Sequence, residues 1–297
     1  MKHFIAFAFL CISVSAFADD AAIATQLQAL GGKIKTTGTT VTEVTFNECS
    51  KLGETEFKAI GQLKGLKSLT LYNNCTNLND ASLLHIAGLT ELESFGSDRI
   101  NVTDEGLKPL AQLKNLRTAS FFHTSFGKKG FTGVGFGYLK DCPKLERMTV
   151  AGISMGDEGF AAIATITQLK DFSTWHTYQT EAGNDHIAKL TNLKSLRIGQ
   201  RLPRGGAPKP VSLSDASLPK FTKLASLETL RIGESRFTPE GLKVLKALPK
   251  LKLLNLWEVQ ITEADVEKVK KDFPNVKVEW QPLTDEQRKR LENYLKE

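Results

Sequence analysis

Residues 227–248 read LETLRIGESRFTPEGLKVLKAL, and at Leu251 the chain starts over with LKLLNL. The first half alternates apolar and polar residues, as a short β-strand with one buried face does. In the second half Phe237 is followed by Thr238, a residue type that caps helices. Glu240 then supplies negative charge where a helix N-terminus favours it. Leu242, Leu245 and Leu248 recur at helical spacing. One copy is therefore strand, turn and helix. Because the helix carries the chain back, the next strand runs parallel to the first.

The same first half occurs as LKSLTL at Leu66, LESFGS at Leu92, LRTASF at Leu116, LERMTV at Leu145, LKDFST at Leu169 and LKSLRI at Leu193. VTEVTF at Val41 is a degenerate first copy, and VKV at Val276 a truncated last one. Successive spacings are 25, 26, 24, 29, 24, 24, 34, 24 and 25, so the base period is 24 with two longer copies. The second half recurs as VTDEGLKPLAQL at Val102, MGDEGFAAIATI at Met155 and LSDASLPKFTKL at Leu213. Stacking such units buries their leucines in one continuous core.

Together these copies resemble leucine-rich-repeat proteins, specifically secreted bacterial ones whose helices start T-D-x-G-L. The resemblance covers Val41 to Trp280. It implies an α/β solenoid, a horseshoe with a parallel β-sheet on the concave face and helices on the convex face. Residues 41–280 then form the repeat domain. Residues 19–40 precede it with a capping helix over Ala21–Leu30. In 281–297, Thr284 and Gln287 offer a capping box. Leu291, Tyr294 and Leu295 share one face of that helix, which either projects as a charged tail or, as solenoid ends need polar caps, is expected to cover the last copy.

The start of the chain, MKHFIAFAFLCISVSAFADD, has a basic beginning, an apolar run too short for a bilayer and Ala16-Phe17-Ala18 as a cleavage site. It reads as a signal peptide over 1–18, placing the mature protein in the periplasm or outside the cell. Leu10 is too bulky to precede a lipidated Cys11. No later run reaches the ~18 apolar residues of a membrane span. Net charge is +6 with no clustered basic stripe, so nucleic acid is not an expected partner.

Three motifs suggest chemistry, and the repeat register weakens each. Gly152–Gly156, GISMG, matches a nucleophile elbow around Ser154, with Asp171 and His176 following in triad order. Ser154, however, falls several residues beyond its strand. Asp171 and His176 are five residues apart along one strand, about 16 Å if extended. His123 and His176 share the position just after the strand, two copies and about 10 Å apart, which is long for a shared metal. GKKGFTGVGFG, Gly127–Gly137, fits neither a P-loop nor a dinucleotide fingerprint, and its extra glycines weaken the helix that follows. The reading calls for no cofactor, no metal and no catalytic residue. Cys49 and Cys75 fall in adjacent copies at nearly equivalent positions. A Cys49–Cys75 disulfide and two buried thiols are both open. Cys142, at a helix-end leucine position, is expected to be a buried free thiol.

The register also separates concave from buried side chains. One concave column reads Thr45, Thr70, Gly96, Ser120, Thr149, Ser173, Arg197, Arg231, Asn255. The next reads Asn47, Tyr72, Asp98, Phe122, Ala151, Trp175, Gly199, Gly233, Trp257. Four aromatics stand on a face that folding alone does not require to be aromatic, and such residues anchor binding surfaces. The two long copies insert residues on the same edge, adding Lys128, Lys129, Arg201, Arg204 and Lys209. These basic lips flank Trp175 and His176. The candidate site is thus Tyr72, Phe122, His123, Trp175, His176, Arg197, Arg231 and Trp257 with the lips. The expected activity is that of an exported, non-enzymatic recognition scaffold. Its partner is a protein or peptide, acidic or anionic. An envelope polysaccharide, an assembly role and a hydrolase built on Ser154 are the alternatives.

Overall fold

A computed structural model describes residues 19–125, 127, 130–202 and 211–295. The signal peptide read over 1–18 lies outside them, as do Lys128, Lys129, Arg204 and Lys209. The chain begins with α1 (Asp20–Ala29), β1 (Lys33–Thr37), β2 (Thr40–Phe46), α2 (Glu54–Ile60), β3 (Ser68–Leu71), α3 (Asp80–Ala87) and β4 (Ser94–Asp98). A 3₁₀ segment (Glu105–Gln112), β5 (Thr118–Phe122), a second 3₁₀ segment (Val134–Asp141) and β6 (Arg147–Ala151) follow. Then come α4 (Asp157–Ile163), β7 (Asp171–Trp175), α5 (Glu181–Ile187), β8 (Ser195–Ile198), α6 (Leu218–Phe221) and β9 (Thr229–Gly233). The last elements are α7 (Pro239–Lys243), β10 (Leu253–Trp257), α8 (Glu263–Asp272), β11 (Lys277–Trp280) and α9 (Asp285–Tyr294).

All eleven strands form one open sheet in sequence order. The fold is an α/β leucine-rich-repeat solenoid. From β2 to β11 every pairing is parallel and in register, as in Ser120↔Thr149↔Ser173↔Arg197↔Arg231↔Asn255. The N-terminal lead-in contains a strand after its helix. β1 pairs antiparallel with β2 through a tight turn at Gly38, where φ is +60°. Behind the sheet, Leu66, Leu69, Leu92, Leu116, Leu145, Leu169, Leu193 and Leu227 are fully buried in a continuous apolar core. Two copies carry 3₁₀ turns in place of an α-helix. Pro109 deprives one of a backbone donor, and Gly135 and Gly137 weaken the other.

The T-D-x-G template has a cause beyond helix capping. Each threonine does cap its helix: Thr103 Oγ1 accepts from Gly106 N at 3.0 Å and Thr238 Oγ1 from Gly241 N at 3.0 Å. The aspartate, read in the sequence as a partner of the helix dipole, instead reaches the next copy. Asp80 accepts from Thr103 N and Oγ1 at 2.8 and 2.7 Å. Asp157 binds Thr180 in the same way at 2.8 and 2.6 Å, and Asp215 binds Thr238 at 3.1 and 2.6 Å. Asp104 accepts four hydrogen bonds, from Thr132 N and Oγ1 and from the backbone N–H groups of Gly133 and Gly135. These charge-assisted bonds staple copy to copy.

The template glycine makes room for the staple. A Cβ at Gly106 or Gly241 would overlap the carboxylate of Asp80 or Asp215. Where the acid is the longer Glu, the next glycine is replaced by serine, whose hydroxyl donates to it: Ser82 to Glu54, and Ser217 to Glu181 at 2.8 Å. Two joints have no staple: at one, Pro239 stands at the acid position ahead of Thr262, and the other lies between the copies of β5 and β6. At the latter Gly133 stands at the acid position and Gly156 at the threonine position of the following copy, so acceptor and donor vanish together. Met155, fully buried, fills that joint; its Sδ occupies the space a Cβ on Gly133 or Gly159 would need.

Candidate binding face

The strands end in a repeated turn. At one position of the repeat, just beyond the strand, the backbone is left-handed at Asn73, Arg99, His123, His176, Glu234 and Glu258, with φ between 48° and 58°, and at Gly152 with φ of 66°. This costs a non-glycine residue about 1–2 kcal/mol. Its repetition lines these side chains along one rim of the concave face. Sequence reasoning placed His123 and His176 in this row and missed Glu234 and Glu258. Carrying the register through the last two copies reaches both.

Inside the rim, the aromatics of the second concave column join into a ridge. Tyr72 and Phe122 meet edge-on with ring centroids 6.0 Å apart, and Phe122 and Trp175 are 6.2 Å apart. The Arg197 guanidinium then lies 4.5 Å from the Trp175 ring and 4.7 Å from the Trp257 ring, sandwiched between them. Burial lowers the pKa of Arg197, and the charge of Glu234 opposes that shift. The small residues in the column make the ridge continuous. Ala151 lies between Phe122 and Trp175. Gly233 and Gly199 lie under Trp257, whose indole occupies the space their Cβ atoms would need. Trp257 therefore lies down along the sheet, while Tyr72 stands 37% exposed. Arg231 sits among acids: its charge acts on Asp171 and on Glu279. Burial raises the pKa of Asp171 despite Arg231 and Arg147.

The rim histidines do not come together. His123 Nδ1 lies 2.7 Å from Asp98 Oδ1, with its ring over Gly152. His176 Nε2 lies 2.6 Å from Glu234 Oε1, two strands further on. Glu234 is only 3% exposed, and its other carboxylate oxygen has no partner. Among the described residues no group of three or more His, Cys, Asp or Glu is placed to hold a metal.

The elbow motif does not assemble a triad. His176 is committed to Glu234, and Asp171 stands at the other end of β7. Ser154 Oγ accepts from Gly127 N at 3.5 Å. Arg201 is corrected as well. Expected on an exposed lip, it is 5% exposed, and burial lowers its pKa. Its backbone N–H donates to Gln200 Oε1 at 3.2 Å and to Ser212 Oγ at 3.0 Å, so the first residue of the insertion is clamped inside. Asn184, a polar residue at a core leucine position, donates to Ser212 O at 2.6 Å and helps pin the same base.

Of the two alternatives for Cys49 and Cys75, the structure holds free thiols: both are buried and no disulfide joins them. Cys49 Sγ donates to Tyr72 O at 3.4 Å. A hydrogen bond with Cys49, then burial, holds the Cys75 thiol far above its ordinary pKa. Cys142 is a buried free thiol, pushed up to about 11 by burial.

The C-terminal helix takes a different position from the one expected. Its capping box forms: Thr284 Oγ1 accepts from Gln287 N at 3.2 Å and Gln287 Oε1 from Thr284 N at 2.9 Å. From the last copy, however, α9 runs back along the rim toward β7. Arg290 Nη2 donates to both oxygens of Glu258, at 2.7 and 2.6 Å. The Tyr294 ring packs against His176 with centroids 5.4 Å apart. Leu291 is 2% exposed. Burial, together with the charge of Glu234, raises the Tyr294 pKa. Between the start of α9 and the last strands a cleft of about 630 Å³ is lined by Asn255, Trp257, Glu258, Glu279, Trp280 and Gln287.

No family model matches the sequence, and no curated protein matches it. Among solved structures the chain is similar to internalin C2 from Listeria monocytogenes. That similarity has a TM-score of 0.46 at 15% identity and covers 90% of this chain and 93% of that one. None of the described helices is long and apolar enough to cross a membrane.

Proposed function

We propose that the protein is an exported, non-enzymatic recognition scaffold that binds a segment of a protein partner across its concave face. The observation that carries this reading is the continuous ridge Tyr72–Phe122–Trp175–Arg197–Trp257, which crosses the sheet from β3 to β10. Stacked rings and a guanidinium held on both faces are rigid, so a partner binds them at little cost in ordering entropy. The ridge suits an extended segment with apolar side chains against the rings. Arg197 and Arg231 favour an acidic group on that segment, and a guanidinium stacked on both faces still offers its edge for hydrogen bonding.

Selection of a displayed peptide library on the full chain tests the reading. Peptides chosen on the wild type should bind Phe122→Ala and Trp175→Ala at least ~30-fold more weakly, the signature of a hot spot. Both variants should keep the wild-type thermal midpoint within a few degrees. Unchanged affinity in both variants would overturn the proposal. Selected peptides that carry no acidic residue would remove the charge element alone. If an anionic polysaccharide binds the ridge while no peptide does, the partner class changes.

A further inference from the structure

The rim row ends in two carboxylates, Glu234 and Glu258, and one helix face meets it. Gln287, Arg290, Leu291 and Tyr294 stand at i, i+3, i+4 and i+7, which places all four on one side of α9. Together they meet the rim at two points. Arg290 takes Glu258, with Gln287 Nε2 3.5 Å from the same carboxylate. Tyr294 takes the ring of His176, which Glu234 holds in place at 2.6 Å. Leu291 is buried between these two contacts. Position-specific acceptors on strained, left-handed residues make a built surface. The second oxygen of Glu234, over Gly199, has no partner and is a buried acceptor that α9 leaves unused.

We infer that this rim is a recognition groove for an amphipathic helix with the face Gln-x-x-Arg-Leu-x-x-Tyr, and that α9 is its resident ligand, reversibly docked in cis. A partner helix with an arginine, a leucine and a tyrosine at i, i+1 and i+4 fits the same acceptors and displaces α9. The attachment suits exchange: long side chains and a single leucine hold α9, which can leave the rim without opening the core. The groove is separate from the aromatic ridge, so each proposal can fail without the other.

The test uses a fluorescein-labelled peptide of residues 282–295 added to the full-length protein. In the wild type, α9 competes at the millimolar effective concentration of a short tether. The peptide should therefore bind Arg290→Ala/Tyr294→Ala at least ten-fold more tightly than the wild type. Adding Glu258→Ala to that variant should abolish binding, and a peptide carrying Arg290→Glu should not bind. Adding Phe122→Ala should change nothing, which separates this groove from the ridge. Equal binding to wild type and double variant overturns the proposal, as does failure to bind a double variant whose thermal midpoint is unchanged. Hydrogen exchange gives a second measure: the amides of 287–294 should be protected in the wild type and not in the double variant. Exchange at the free-peptide rate in the wild type overturns it too.

Discussion

The helix-start edge and the concave face are built on the same repeat, yet they treat sequence differently. At the edge, the three fixed residues of the template recur because each copy completes the next: a carboxylate needs its threonine and its glycine one copy on. On the concave face such dependence is local, as where Trp257 needs Gly199 and Gly233, so composition drifts from Thr and Ser to aromatic and cationic side chains. Regularity marks where the fold holds itself together. Departure from it marks where the chain is free to hold something else.

Substitutions can break that contrast. The largest loss is expected from Asp104→Ala, which strands three backbone N–H groups and one hydroxyl. The cost should be about 2–3 kcal/mol, read from the urea midpoint. Next comes Gly106→Ser, whose Cβ collides with the Asp80 carboxylate and should cost about 1–3 kcal/mol. This variant also sharpens the rule. Asp80→Glu/Gly106→Ser rebuilds the Glu–Ser joint seen at Glu54–Ser82, and a double-mutant cycle should show a favourable coupling of about 1 kcal/mol. Zero coupling would mean that the Glu–Ser pairing is coincidence. On the other face, Trp175→Ala removes half of the Arg197 sandwich and should cost about 1 kcal/mol in stability. Its effect on binding should be far larger. Smallest is Lys252→Ala, which loses an exposed ion pair with Glu228 and should stay below about 0.5 kcal/mol. If Trp175→Ala destabilised as much as Asp104→Ala, the division between holding and binding would collapse.

The period, the parallel sheet and the core leucines were legible because burial repeats at one spacing. All five ridge positions were legible because strand alternation assigns the concave columns. What escaped was contact between copies. The Asp80–Thr103 staple spans 23 residues, and the sequence presents its members only as caps and dipole partners. Gly199 and Gly233 stood in the aromatic column without a reason until Trp257 was seen lying over them. Arg201 was misplaced because a basic insertion reads as solvated, whereas Gln200 and Ser212 draw its first residue inward. The course of α9 was hidden because helix periodicity gives the face that packs but not what it packs on.

The joint closed by Met155 carries a liability of its own kind. The carboxylate staples are polar and indifferent to oxidants, whereas this joint is filled by a thioether. Peroxide would turn the Met155 sulfur into a polar, bulkier sulfoxide between Gly133 and Gly159, with no donor nearby that the missing aspartate–threonine pair might have supplied. Oxidative damage would then loosen the solenoid in the middle, on the helix side of the copies of β5 and β6, while the strand ladder between them still holds.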